Sequence, residues 1–140
     1  LCRRNTMVVL TEAMKEDMKR QPTFSLATAS KDGTPNVVPV GMLMLQDDGA
    51  VWIVDNYMNK TLANLRENPR ASFFVWTRET AGAYQMKGTV EVVSSGPDYE
   101  KAKAIAKAKR ETLPAKNLLR MTVTEVYSVA PGPDAGKRLL

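Results

Sequence analysis

Residues 55–70 read DNYMNKTLANLRENPR and form the most informative junction in the chain. A short apolar run, Val51–Val54, stops at two polar residues, and a helical pattern then begins at Asn59. Such a junction directs backbone N–H groups, an amide, a hydroxyl and the ammonium group of Lys60 at one place. The stretch therefore predicts a phosphate-binding site at Asn59, Lys60 and Thr61.

Helix capping is the competing interpretation of the same three residues. In that case Asn59 caps a surface helix with its side chain, and Lys60 is merely solvated. Three residues are a weak signal alone, so the neighbouring segments decide between the two interpretations.

The segment Val38-Pro39-Val40-Gly41 is the second candidate feature. Pro inside a strand pattern indicates an edge or a bulge, and Gly there often marks a close approach to the backbone. One interpretation is a flat stretch whose backbone groups contact a planar ring, and the other is an irregularity of an edge strand.

Two further polar residues belong to the candidate site. Asp55, at the end of a strand, could hydrogen-bond a ribityl chain or a ring edge, or could be an ordinary turn residue. Gln85, on the polar side of a later strand, could contact a ligand or simply face solvent.

Turn and periodicity signals predict six short strands and two or three helices without a regular βαβ alternation. The strands are expected near residues 24–29, 37–45, 50–54, 71–76, 84–93 and 121–127, and the helices near residues 11–20, 59–67 and 97–110. This pattern favours a mainly β (α+β) fold, a mostly antiparallel barrel or sheet with attached helices. The 140 residues, 44% of them hydrophobic, are expected to form a single domain, with residues 1–10 as a candidate disordered extension.

Composition excludes several kinds of site. The chain has no histidine and one cysteine, which removes a His-assisted nucleophile, most catalytic zinc sites and a proximal His for haem. Chemistry at neutral pH would then need a Lys or carboxylate with a shifted pKa, or a cofactor that brings its own reactivity. We assign no catalytic residue and no metal ligand. No stretch approaches the length of a membrane span and no signal segment precedes the first strand, so the expected location is cytoplasmic, away from membranes.

The net charge of +5 makes anionic partners worth considering. Positive charge is concentrated in residues 101–110, on a predicted helix. Alanines separate these lysines and no aromatic residue is interleaved, which favours a solvated helix face with no nucleic acid bound. A cofactor-free basic nucleic-acid-binding module is the alternative from a different class.

Taken together, these residues resemble the flavin split-barrel family, the pyridoxamine 5′-phosphate oxidase-like FMN-binding proteins, from about Phe24 to Tyr127. Three blocks carry the resemblance in order, at residues 27–40, 56–71 and 86–91, and the middle block is the most specific. The resemblance implies a six-stranded antiparallel split β-barrel with two or three peripheral helices.

The resemblance also implies FMN as the cofactor and a role for each candidate residue. The FMN phosphate is expected at the start of the helix, at Asn59, Lys60 and Thr61. The isoalloxazine ring is expected against the second strand, at Val38, Pro39 and Val40. Further contacts are expected from the strand end at Val54 and Asp55 and from Gln85 on a later strand. A homodimer with the flavin at its interface is implied, acting as an oxidoreductase or electron-transfer protein with an unidentified electron donor or acceptor.

The chain departs from parts of the family. Its C-terminal segment, residues 131–138, lacks the histidine that pyridoxamine phosphate oxidases use near the substrate phosphate, and haem-degrading relatives ligate haem through histidine. Deazaflavin-dependent reductases are similar in the pattern of Lys60 and Asn64-Leu65-Arg66 and are the nearest alternative enzyme class.

Overall fold

The computed structural model describes residues 6–140, and an antiparallel sheet of seven strands forms its centre. The strands are β1 (Phe24–Ala29), β2 (Pro35–Val40), β3 (Leu43–Leu45), β4 (Val51–Asp55), β5 (Arg70–Trp76), β6 (Ala83–Val93) and β7 (Asn117–Ser128). The helices are α1 (Glu12–Lys19), α2 (Lys60–Glu67) and α3 (Pro97–Lys109). The strand order is β2-β1-β5-β6-β7-β4-β3, so β2 and β3 are the two edges. The predicted α+β class with an antiparallel sheet is confirmed.

The predicted number of strands, six, is wrong for the described residues, because the strand expected at residues 37–45 is two strands. β2 pairs with β1, with Val40 opposite Phe24, whereas β3 pairs with β4, with Leu43 opposite Ile53. The chain changes partner at Gly41 and Met42, which lie outside both strands. The edge position indicated by Pro39 is confirmed.

Two apolar clusters hold the helices on the sheet. The larger one lies inside the curled sheet and includes Met14 and Met18 of α1, which are spaced four apart and face inward. Thr11 caps α1 as expected, because its hydroxyl accepts a hydrogen bond from the N–H of Met14 at 3.1 Å. The smaller cluster lies beneath α3, where Ala102 and Ala106 are buried.

The N-terminal segment corrects a second expectation. The backbone N–H of Val8 donates to the carbonyl of Val123 at 2.9 Å, and Leu10 is buried in the larger cluster. Residues 8–10 therefore pack on the sheet and are not a disordered extension, while residues 1–5 lie outside the described residues. Within residues 6–140, no helix combines the length and apolarity needed to cross a membrane.

Gly88 gives a test of the sheet geometry. It lies at an irregularity of the pairing between β6 and β7, and a Cβ there would approach the carbonyl oxygen of Thr122 to 1.9 Å. We expect Gly88→Ala to lower the free energy of unfolding by about 1–3 kcal/mol in urea denaturation, because backbone atoms have to move. Gly41→Ala is the matched control, since a Cβ there meets nothing within 4 Å. Equal losses in the two variants would contradict the close approach.

Candidate functional site

A cavity of about 980 Å³ lies where β2, the end of β4, the start of α2 and the end of α3 meet. The structure brings seven of the nine predicted site residues to its wall: Val38, Pro39, Val40, Val54, Asn59, Lys60 and Thr61. Gly41 of the candidate segment 38–41 also lines the cavity. Sequence reasoning missed other wall residues, which include Asn36, Met42, Asn56, Tyr57, Met58, Lys109, Arg110 and Leu113.

The free edge of β2 forms one wall of the cavity. An edge strand leaves a row of backbone N–H and C=O groups unpaired by a neighbouring strand. Residues from both faces of β2, such as Val37 and Val38, border the cavity. Gly41, which directly follows β2, has no side chain, and a Cβ there would meet nothing within 4 Å, so the wall is open at this end of the strand.

The first turn of α2 forms the adjacent wall. Asn59 occupies the N-cap position of α2, as the capping interpretation expects, but its side chain makes no capping hydrogen bond. The first backbone bond from the helix to Asn59 comes from the N–H of Ala63, at 3.0 Å. The N–H groups of Lys60, Thr61 and Leu62 thus have no carbonyl partner within the helix, and the helix dipole adds a partial positive charge there.

A buried polar network fixes this turn against the sheet. Asn36 donates through Nδ2 to the hydroxyl of Thr61 at 3.0 Å and to that of Thr28 at 3.3 Å. Asn64, one turn further along α2, also donates to Thr28, at 3.1 Å. Sequence reasoning did not predict this network. The signal in the sequence that could have indicated it is the three-residue spacing of Thr61 and Asn64, which places both residues on one helix face.

Positive charge surrounds the cavity. Lys60 lies at the start of α2, and Lys109 and Arg110 approach from the end of α3. Among residues 6–140, no Asp or Glu belongs to the cavity wall. The arrangement favours an anionic ligand, and the end of α3 is more than the solvated face expected from the sequence.

The structure places the Asp55 side chain away from the cavity. Its carboxylate is fully buried and accepts hydrogen bonds from Asn117 Nδ2 at 2.8 Å and from the N–H of Met58 at 2.9 Å. Lys116 Nζ lies 3.8 Å from the same carboxylate and donates to the carbonyl of Met58 at 3.0 Å. Asp55 therefore anchors the turn that leads into α2. Its carboxylate does not line the cavity, whereas the sequence predicted a contact between this side chain and a ligand.

Gln85 also lies outside the cavity of its own chain. It sits on β6 opposite Phe74 of β5 and Tyr127 of β7. On the same face of the sheet, Val37 of β2 and Ser72 of β5 both lie opposite Ala27 of β1. Because Val37 also lines the cavity, this face of the sheet extends to the rim of the cavity. In the described part of the chain, no group of three His, Cys, Asp or Glu side chains is arranged to hold a metal ion.

Known proteins are similar to this chain in sequence or in structure. An uncharacterized protein of Methanocaldococcus jannaschii is 38% identical over 135 residues, which are 95% of this chain and 89% of that protein. The structure of HupZ from Group A Streptococcus has a TM-score of 0.77 at 27% identity, covering 91% of this chain and 100% of that one.

More distant structures share the fold alone. An FMN-binding protein from Syntrophomonas wolfei has a TM-score of 0.63 at 19% identity, over 81% of this chain and 80% of that one. HutZ, described as a heme storage protein from Vibrio cholerae, has a TM-score of 0.66 at 18% identity, over 86% of this chain and 94% of that one. Because one fold carries both descriptions, the fold by itself does not select the ligand.

The family follows from the sequence match. Residues 10–130 match the family model described as pyridoxamine 5′-phosphate oxidase. This match spans most of the chain and agrees with the antiparallel sheet and its three helices. The chain therefore belongs to the pyridoxamine 5′-phosphate oxidase family of split-barrel proteins.

Proposed function

We propose that this protein binds FMN in the cavity between β2 and α2 and acts as an oxidoreductase or electron-transfer protein through the flavin. The observation that carries the proposal is the uncapped first turn of α2, which opens with Lys60 onto a cavity walled by the free edge of β2. The turn offers backbone N–H groups and an ammonium group to a phosphate. The hydroxyl hydrogen of Thr61 is available as a further donor, because Asn36 donates to its oxygen.

The wall formed by β2 suits a flat ring. By the alternation of the antiparallel ladder with β1, the N–H and C=O of Val37 and the C=O of Pro39 point to the free edge of β2 and can hydrogen-bond the polar edge of an isoalloxazine ring. Met42 and Leu113 supply apolar surface. Bound FMN supplies the redox chemistry at its ring. The residues of the chain bind the phosphate, orient the ring and shield one of its faces, and none of them is required as an acid or base.

We further propose that two copies associate through the open face of the sheet. On this face or at its border Val37 is 65% exposed, Phe74 44% and Trp76 50%. Exposed apolar side chains on a strand surface favour association. A second copy seated there brings Gln85 of the partner subunit towards the flavin, which gives this residue the role that its position in its own chain does not provide.

Phe74→Glu tests the proposed association. A buried carboxylate without a partner is strongly unfavourable, so we expect the variant to sediment as a monomer and to bind FMN at least about tenfold more weakly. Ile105→Glu, which changes an exposed apolar residue on α3, is the control and should alter neither property. Sedimentation velocity and quenching of FMN fluorescence measure the two effects. A monomeric wild-type protein that binds FMN tightly would contradict the dimer.

The cofactor itself is identified by loading and mass analysis. Purified protein incubated with excess FMN and then gel-filtered should retain the yellow flavin spectrum, with the mass of FMN released on denaturation. A protein that stays colourless would refute the proposal. Release of a deazaflavin would favour the second candidate, a deazaflavin-dependent reductase, whose motivating observation is the pattern of Lys60 with Asn64-Leu65-Arg66.

A further inference from the structure

The lysine-rich helix α3 has a charge pattern that the flavin site does not explain. Residues 101–110 contain five Lys or Arg residues and no acidic residue. Within the part of the chain that the structure describes, Lys103, Lys107, Lys109 and Arg110 take part in no ion pair. On α1, by contrast, lysines pair with a glutamate one turn earlier, for example Lys15 with Glu12 at 3.3 Å and Lys19 with Glu16 at 3.1 Å.

The packing of α3 leaves Lys109 and Arg110 exposed, and it leaves Lys103 and Lys107 half-buried beside the stripe that meets the sheet. Ala102 and Ala106 are buried against the sheet, and the hydroxyl of Tyr99 donates to the carbonyl of Ala115 at 2.8 Å. Between the cations, the exposed side chains of Ala104 and Ala108 are methyl groups, so the face is low and a partner surface can approach closely.

The charged face is continuous with the flavin cavity. Its last cation, Arg110, belongs to the cavity wall, and so does the adjacent Lys109. The helix has 13 residues and spans about 20 Å. A partner that covers α3 therefore lies beside the proposed flavin site.

We propose that the face of α3 formed by Lys103, Lys107 and Arg110, which are spaced four and three residues apart, docks a small acidic electron-carrier protein. The inference rests on the proposed flavin site. Each reduced carrier is oxidised by one electron, and two carriers in succession reduce the flavin by two electrons, with protons taken up from solvent. Charge complementarity between the basic face and an acidic carrier raises the association rate and orients the encounter.

A protein partner fits the face better than a nucleic acid does. Binding of single strands uses aromatic side chains on which bases stack, and none of residues 101–110 is aromatic. The exposed surface between the cations is instead formed by alanines and by Ile105. Proximity to a redox site is required of an electron carrier and serves no purpose for a nucleic acid.

Stopped-flow reduction of the FMN-loaded protein tests the surface. The electron donor is an acidic [2Fe–2S] ferredoxin, kept reduced by NADPH and ferredoxin reductase. Lys103→Ala/Lys107→Ala removes two cations that do not line the cavity, and Lys15→Ala/Lys19→Ala removes two cations from α1. At about 20 mM salt we expect the first variant to be reduced about tenfold more slowly than wild type and the second at the wild-type rate. At about 500 mM salt all three rates should converge, because charges are screened.

Either of two results with the folded, FMN-loaded variants would overturn the proposed docking surface. Equal rates for the two variants at low salt would overturn it, as would wild-type binding of a labelled RNA or DNA that is lost in Lys103→Ala/Lys107→Ala. Reduction by dithionite should be the same in all variants and shows that the flavin site is intact. If no variant retains FMN, the proposed function fails separately. Calorimetry with oxidised ferredoxin then tests the surface alone, and absence of binding to the wild type would overturn it.

Discussion

Replacing Lys60 and Thr61 together with alanine is expected to weaken FMN binding about 1,000-fold. Each hydrogen bond to a charged group contributes about 1.5–3 kcal/mol, and about 1.4 kcal/mol is a factor of ten in affinity. The substitution removes the ammonium group and the hydroxyl at the first turn of α2 and leaves the backbone N–H groups in place. Lys60→Ala alone should account for about 100-fold of the loss. Fluorescence titration of FMN into the apoprotein measures both values.

Riboflavin is the sharpest control for this result, because it carries the same ring and ribityl chain without the phosphate. The variant and the wild type should bind riboflavin with affinities within about twofold of one another. Thr61 also accepts a hydrogen bond from Asn36, so circular dichroism must confirm that the variant is folded. If the double variant kept wild-type affinity for FMN, the phosphate would not lie at this turn.

The parts of the site that are local in sequence could be predicted from the sequence. Asn59, Lys60 and Thr61 are consecutive at a strand-to-helix junction, and the structure places all three on the cavity wall. Pro39 indicated an edge because proline lacks a backbone donor, and β2 is an edge strand. Both predictions depend on backbone chemistry within a few residues, which the surrounding fold does not override.

The remaining parts depend on contacts between distant residues. Gly41 marks an interruption of the second strand in the sequence, but the change of partner from β1 to β4 at this point depends on residues far away along the chain. Lys109 reaches the cavity only because α3 packs against the sheet through its alanines. Sequence periodicity could show that this helix is basic, but it could not show which end of the helix meets the cavity.

Asp55 shows the same limit most clearly, since its carboxylate is bonded to Asn117, 62 residues away. Asp55→Ala should lower the free energy of unfolding by about 3–5 kcal/mol, because the buried amide of Asn117 and the N–H of Met58 both lose their acceptor. FMN affinity should fall as well, since the turn leading into α2 is no longer held. Urea denaturation and FMN titration measure the two effects.

Two further variants test whether the loss of stability comes from the buried position of Asp55 or would follow the removal of any aspartate that accepts a hydrogen bond. Asp48→Ala removes an aspartate that also accepts from a backbone N–H, that of Ala50 at 2.9 Å, but in an exposed turn, and should cost about 0.5–1.5 kcal/mol. The exchange Asp55→Asn with Asn117→Asp keeps one carboxylate and one amide in contact and should recover most of the stability. If Asp55→Ala cost no more than Asp48→Ala while FMN affinity fell, the carboxylate would be a ligand contact. Since the side chain is fully buried and bonded on both oxygens, we expect the opposite order.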